Sequence, residues 1–390
     1  MKVLQVVPTF HPYTASGPSR VAYMISKHLA RRGHSVTVYT SNITDQFNSL
    51  KSGTEKYDGI EVHRFPSIGA LFARVIKFIA TPTLIPQIKK EIKKFDIIHI
   101  HEFTTFQGII CHHYAKKNTA PYILQVHGSL PKIGKWKTLK KIHLILFGRK
   151  LLNDSSKVVA LSPTEAEHYR RMNVEEEKIT IIPNGIDLSE FSTLPPKGLF
   201  RKKFNIPENR KIILYLGRIH KTKGIHLLVK AYHYLIKHMK CTDTILVIAG
   251  PDDGYYRKIR TLVHSLKIST KVLFTGFLIE SDKLKAFVDA DVFVTPIFYG
   301  FPLTFLEACA AGKPLVTTDF GDKLEWINNK VGYVVPPASR KLALAIHKLI
   351  QDEDLNKKFG VNGRKIVKSN FTIEKVVSRL EKTYEEIIRK

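Results

Sequence analysis

One carboxylate stands alone in the stretch FYGFPLTFLEACAAGKP (298–314). Glu307 is the only acidic residue between Asp291 and Asp319, and apolar or small residues surround it. A buried lone carboxylate is expensive unless it is paired or hydrogen-bonded. It either meets a nearby lysine or backbone donor, or it sits at a cleft rim and accepts from the vicinal hydroxyls of a sugar. A second candidate group is cationic. GRIHKTKG (217–224) places Arg218, Lys221 and Lys223 between glycines, after one apolar run and before another. Fixed cations at a helix N-terminus suit a diphosphate, and the alternative is a basic surface turn. The spacing is not G-x-x-x-x-G-K-[ST], which excludes a P-loop. A third is His127, in HGS (127–129), directly after an apolar run. A histidine at a strand end can also simply pack or cap. His99 and His101 are read as lying on opposite faces of their strand, which argues against a metal pair. The fourth is Gly17 with Pro18, where glycine permits close backbone approach and proline suits a first helical turn. N–H groups exposed there could hold a phosphate oxygen. No G-x-G-x-x-G is present, which counts against a nicotinamide cofactor.

Positioning these groups requires strands that deliver them to one edge of a sheet. VLQVV (3–7) reads as a buried strand, 19–32 as a helix stopped by Gly33, and SVTVYT (35–40) as the next strand. Further strands lie within KFDIIHIHEF (94–103), YILQVHG (122–128) and KVVALS (157–162). The pattern restarts after LPPKG (194–198). KIILYLG (211–217), TILVIAG (244–250), VLFTG (272–276), DVFVTP (291–296) and PLVTT (314–318) read as strands, with helices near 224–239, 255–267 and 281–289 between them. Strands alternating with helices give parallel sheets covered on both faces. The fold class is therefore α/β, with two Rossmann-like doubly wound domains facing across a cleft. The expected organisation is 1–195, 196–371 with a linker near 192–200, and an amphipathic helix at 372–390 that returns to the first domain. Open α/β sheets bind ligands at the carboxyl ends of their strands, and the candidate residues fall there.

Composition narrows the class. The chain has 390 residues, 44% hydrophobic and 25% charged, enough for two cores. Cys111, Cys241 and Cys309 are isolated, so a disulfide framework or structural zinc is not expected, which fits a reducing cytoplasm. The opening apolar run ends at Pro8, too short for a signal-peptide core, and no run of about 20 apolar residues suggests a spanning helix. Net charge is +28, which favours phosphates, acidic lipid headgroups or nucleic acid. From Phe103 to Asn153 there are nine basic residues and no acidic one. Without a helix-turn-helix, zinc-finger or RNP-like signature, nucleic acid is ranked low.

Taken in order, GPSRVAYMISKHLARRGHSVTVYT, VHG, IIPNGID, LGRIHKTKGI, IAGPDDG, ADVFVTP, GFPLTFLEACAAGKPLVTTD and GYVVPP resemble the retaining glycosyltransferases of family 4, which have the GT-B fold. The resemblance covers nearly the whole chain. It implies transfer of a hexose-type sugar from a nucleotide-sugar donor, UDP- or GDP-linked, to a glycan or lipid-linked acceptor in cell-surface glycan or glycolipid assembly. In it, Gly17 would face the donor diphosphate, His127 would touch the sugar near the reacting carbon, Arg218 and Lys223 would hold the diphosphate as leaving group, and Glu307 would bind the ribose. No cofactor or metal is implied, because the two cations take the metal's place.

One position departs from the family. Where it usually carries a second glutamate, eight residues before Glu307, this chain has Tyr299. A phenol exchanges hydrogen bonds but carries no charge. The sugar contact then comes from Tyr299 or from backbone amides around Phe301, Pro302 and Leu303. A non-catalytic sugar-nucleotide binder and a sugar-nucleotide epimerase are the rival readings. For the acceptor side, Ile68, Leu71, Phe72, Val75, Ile76 and Ile79, and again Trp136, Leu139, Ile142 and Leu146, form apolar faces beside basic residues. They either pack on the sheet or contact anionic lipid. The second option makes the protein cytoplasmic and peripheral to the inner face of a membrane.

Overall fold

A computed structural model describes residues 1–12, 16–44, 48–68, 79–103, 105–130, 147–320 and 324–389. The two amphipathic faces expected at 68–79 and 136–146 lie almost entirely outside the described residues. The chain divides into two compact units, Met1–Gly185 with Ile373–Lys390, and Ile186–Thr372.

The first unit is built on an eight-stranded sheet. Its elements are β1 (Lys2–Val6), α1 (Gly17–Arg31), β2 (Ser35–Ser41), β3 (Gly53–Tyr57), β4 (Ile60–Phe65), α2 (Leu84–Glu91), β5 (Ile97–His101), α3 (Phe106–Lys117), β6 (Tyr122–Gln125), α4 (Arg149–Asn153), β7 (Lys157–Ala160), α5 (Pro163–Arg170) and β8 (Ile179–Ile181). The strand order is β3-β4-β2-β1-β5-β6-β7-β8. Central strands are apolar because both faces are covered; all five residues of β5 are buried. Helix α1 buries Val21, Ala22, Ile25 and Leu29 along one face and starts with Pro18 in its first turn. It stops where Gly33 takes φ 88°. The sheet is parallel except for β3, which pairs antiparallel with β4. Asp58 and Gly59, at φ 52° and 75°, make the two-residue turn that such a hairpin needs.

The second unit holds α6 (Leu199–Lys203), β9 (Lys211–Leu216), α7 (Ile225–His238), β10 (Thr244–Ala249), α8 (Tyr256–Ser265), β11 (Val272–Gly276), α9 (Glu280–Asp289), β12 (Val292–Thr295), α10 (Leu303–Ala310), β13 (Leu315–Thr318), β14 (Gly332–Val335), α11 (Ser339–Gln351) and α12 (Glu353–Asn370). Its six strands are all parallel, in the order β11-β10-β9-β12-β13-β14. Ile213 and Tyr215 of β9 pack with Leu228 and Tyr232 of α7 and Ile346 of α11 in its core.

The boundary differs from the expected linker at 192–200. The second unit begins at Ile186, which is buried and donates its N–H to the Phe371 carbonyl. Farther on, the Gly198 and Arg201 amides both donate to the Asp289 carboxylate of α9. Residues 186–198 are thus hydrogen-bonded into the second unit at both ends.

The last helix, α13 (Ile373–Ile388), belongs to the first unit. It buries Val376, Val377, Leu380 and Tyr384 on one stripe and packs against α1. Glu381 fixes it there by accepting from Arg32 at 2.7 Å and pairing with His34 at 2.8 Å. Among the described residues no helix is long and apolar enough to cross a membrane.

Candidate functional site

The cations of the second unit sit where β9 ends. Gly217 and Gly250 end adjacent strands so closely that a Cβ on Gly250 would lie 2.0 Å from the Gly217 carbonyl oxygen. Only glycine at position 250, at φ 142°, allows the two strand ends to meet. The Gly217 amide donates to Ala249, and the Gly250 amide to Gly276. Beyond this seam the chain turns. The Tyr215 hydroxyl donates to the Arg218 carbonyl at 3.0 Å, and the His220 ring caps Thr222. Gly224, at φ 68°, then opens α7, and a Cβ there would meet Ile297 at 2.7 Å. Gly224 leaves no room for a side chain at one end of the segment 217–224, and at the other Gly250 holds the seam against Gly217, whose own Cβ would meet the Tyr215 side chain at 3.1 Å.

Arg218 is 55% exposed and pairs with Asp253 at 2.6 Å. Lys223 is partly buried, and among the described residues it has no acidic partner. Burial pushes its ammonium down to about 8, and the Arg218 guanidinium adds in the same direction. Lys221 is exposed. Two cations whose fields reinforce each other at a strand's carboxyl end favour an anion with more than one negative oxygen.

Glu307 lies within α10 and is 2% exposed. Its Oε1 accepts from Lys283 Nζ of α9 at 2.9 Å, and Lys283 also meets Glu280 at 2.7 Å. The carboxylate that stood alone in sequence is thus paired in space. An ionised carboxylate has about four lone-pair sites, so it can accept from more than one donor at once. Tyr299 is 37% exposed, edge-on to Phe320, and burial raises its phenol, which keeps it protonated and able to donate. Phe301 is buried against Trp326 and Phe371, with ring centroids 5.7 and 5.2 Å away. Its side chain is core, which leaves only its backbone for a ligand. Pro302 has no N–H. Helix α10 opens at Leu303 without a side-chain cap on its first amides.

In the first unit Gly17 opens α1, and none of the described residues lies within 4 Å of where its Cβ would be. Packing among the described residues does not require glycine there. His127 follows β6 at φ 56° and Gly128 at φ 70°. Glu165 of α5 holds this turn, accepting from the Gly128 amide at 2.6 Å and the Leu161 amide at 2.7 Å. His127 Nε2 lies 2.9 Å from His101 Nδ1. His99 and His101 do not point to opposite faces. Residues two apart in a strand share a face, and these rings stack at 4.1 Å. Burial holds His99 and His127 down to about 3 and His101 well below its usual value, so all three are neutral. Among the described residues these rings meet no acidic group that could complete a metal site.

The structure therefore brings Arg218 and Lys223 together in one turn, and Tyr299, Phe301, Pro302, Leu303 and Glu307 together in another. Gly17 and His127 lie on the first unit. The partners Lys283, Asp253, Glu165 and Tyr384 escape sequence reading. Of these only Asp253 left a signal, in PDDG immediately after a strand.

Residues 15–190 match the family described as Glycosyltransferase Family 4, and residues 197–366 match Glycosyl transferases group 1. The chain is 30% identical to the putative glycosyltransferase YtcC of Bacillus subtilis, over 75% of this chain and 73% of that one. It is 26% identical to the O-antigen chain mannosyltransferase C of Escherichia coli, over 100% of this chain and 99% of that one. Among solved structures, HepE from Anabaena in complex with UDP-glucose shares the fold, with a TM-score of 0.78 at 18% identity, covering 99% of this chain and 100% of that one.

Proposed function

Because the chain belongs to glycosyltransferase family 4, we propose that it moves a hexose-type sugar, with retention, from a UDP- or GDP-linked donor to a glycan or lipid-linked acceptor. The observation that carries this reading is Lys223, which has no acidic partner among the described residues, beside Arg218 on the turn between β9 and α7. As the bond between the anomeric carbon and the donor phosphate breaks, negative charge collects on the departing diphosphate. Two cations held in place before the reaction stabilise that charge without reorganising. No metal is needed for this step. Glu307 takes the ribose diol as a hydrogen-bond acceptor. His127 takes the sugar, and Gly17 lets the first-unit backbone approach the diphosphate. Tyr299 and the α10 amides take the place of the missing glutamate. The relative from Escherichia coli acts on an O-antigen chain by name, which supports a glycan acceptor.

A second reading has one observation in its favour. Tyr299 cannot supply the charge of the glutamate that the family usually carries, so a sugar-nucleotide binder without turnover fits the same geometry. A thermal-shift panel with UDP, GDP, ADP and their sugar conjugates tests the donor site. Wild type and Glu307→Gln are each read against their own ligand-free midpoint, since losing the Lys283 pair lowers stability by itself. One nucleotide should raise the wild-type midpoint and not that of the variant. No shift at millimolar concentration with any nucleotide would sink the donor site. A shift without turnover on glycan or lipid extracts would favour the silent binder.

A further inference from the structure

His127 belongs to a short buried polar chain on one face of the first unit's sheet. Gln5 of β1 lies opposite His99 of β5, and His101 lies opposite Gln125 of β6. These four side chains therefore share one face of the sheet, all of them buried, and Tyr384 of α13 is buried against them. The Tyr384 hydroxyl is 2.8 Å from His99 Nδ1. His101 Nε2 is 2.7 Å from Gln5 Oε1, and His101 Nδ1 is 2.9 Å from His127 Nε2.

The donors and acceptors in this chain can be counted. An amide oxygen only accepts, so His101 Nε2 carries the hydrogen it gives to Gln5. A neutral imidazole has one N–H, which leaves His101 Nδ1 as an acceptor. His127 Nε2 must then be the donor, and His127 Nδ1 keeps a lone pair. Nδ1 meets no partner among the described residues and is not one of the enclosed polar atoms. The orientation of the Gln5 amide decides the whole sequence: its oxygen meets His101, and its Nε2 has no hydrogen-bond partner among the described residues. The Tyr384 hydroxyl is taken up by His99.

We propose that Gln5, acting through His101, locks His127 in the Nε2–H tautomer, so that its open Nδ1 can only accept a hydrogen bond from a sugar hydroxyl. This deepens the donor-site reading and rests on it for the ligand alone. Gln5 and His101 are positioning residues, since neither is placed against the substrate. An acceptor-only histidine discriminates between sugars. It rewards a hydroxyl at the position it faces and leaves an ether, deoxy or carbonyl group there without a partner.

The test uses full-length protein labelled with 15N-histidine and long-range proton–nitrogen correlation at neutral pH, with His127 assigned by difference against His127→Asn. Wild type should show His127 as a single Nε2–H tautomer. Gln5→Met takes the acceptor from His101, and the tautomer ratio at His127 should move toward parity by about fivefold. Gln5→Leu removes the same acceptor and serves if Gln5→Met does not fold. An Nδ1–H signal at His127 in wild type overturns the proposal, as does an unchanged ratio in the folded Gln5 variant. The spectra need no nucleotide, so failure here is separable from failure of the donor site.

Discussion

Lys223 shows how one residue's setting becomes a measurable property. Its folded value of about 8 lies below the ordinary 10.5 because burial and Arg218 both disfavour the cation. An anion that binds there must find the ammonium protonated. In the free protein that form is complete below about pH 7 and is lost as pH rises through 8. Diphosphate affinity should therefore fall between pH 7 and 9, with net proton uptake on binding, because the ligand raises the pKa it meets. Titration calorimetry of UDP in two buffers of different ionisation heat reads that uptake. Lys223→Met should abolish it, and should lower turnover by about 3 kcal/mol of transition-state stabilisation if the cation serves the leaving group. Uptake that persists in Lys223→Met would move the titrating group elsewhere. Glu307 is the contrasting case. The sequence isolates it among small apolar residues, and its pairing with Lys283 is invisible there, because the lysine lies 24 positions away on a neighbouring helix.

At the scale of elements, the strand ends carry the chemistry and glycines set their geometry. Gly250→Ala forces a methyl group to within 2.0 Å of the Gly217 carbonyl at a backbone angle that side chains rarely adopt. The strain is of order 1–3 kcal/mol or more, and it falls on the seam that carries Arg218 and Lys223. Urea unfolding should show the loss, and UDP affinity should fall with it. Gly17→Ala is the converse, because none of the described residues occupies the added methyl's place. It should leave stability unchanged or slightly raised while weakening the donor, provided that a ligand is what approaches Gly17. Unchanged affinity would make that glycine an ordinary helix start. Most elements around these glycines were legible. KIILYLG, TILVIAG and DVFVTP are continuous apolar runs bounded by Gly or Pro, and they became β9, β10 and β12. The β3–β4 hairpin was missed because GTEKY is polar and lies at a sheet edge, although Asp58-Gly59 is a turn signal. His99 and His101 were assigned to opposite faces against the strand's own period of two. Pro195 and Pro196 drew the linker too late, since proline marks where a chain turns and not where its contacts change.

The whole molecule adds what no single element shows. Both ends of the chain serve the first unit, since α13 packs on α1 and Tyr384 reaches β5. The buried His99 of β5 therefore takes its hydroxyl partner from a helix 285 residues later in sequence. Net charge is the other global property. At +28 the protein attracts acidic surfaces at long range, and the acid-free segment from Phe103 to Asn153 concentrates that attraction. Within it Lys116 is already paired with Asp154, at 2.8 Å. Lys132, Lys135, Lys137, Lys140 and Lys141 lie outside the described residues, and the sequence places them beside Trp136 and Leu139. If a lipid-linked acceptor is reached at a membrane surface, each basic side chain near anionic headgroups contributes about 1 kcal/mol. The protein should then sediment with phosphatidylserine-containing vesicles at about 0.1 M salt and not with neutral ones. Changing those five lysines to glutamine should release it while leaving the UDP-induced thermal shift intact. Salt separates two modes of attachment. Charge alone is screened within about 10 Å at 0.1 M and about 3 Å at 1 M, so purely electrostatic binding disappears at high salt, whereas inserted apolar side chains hold on. Failure to bind anionic vesicles even at low salt would remove the membrane from the account and point to a soluble glycan as acceptor.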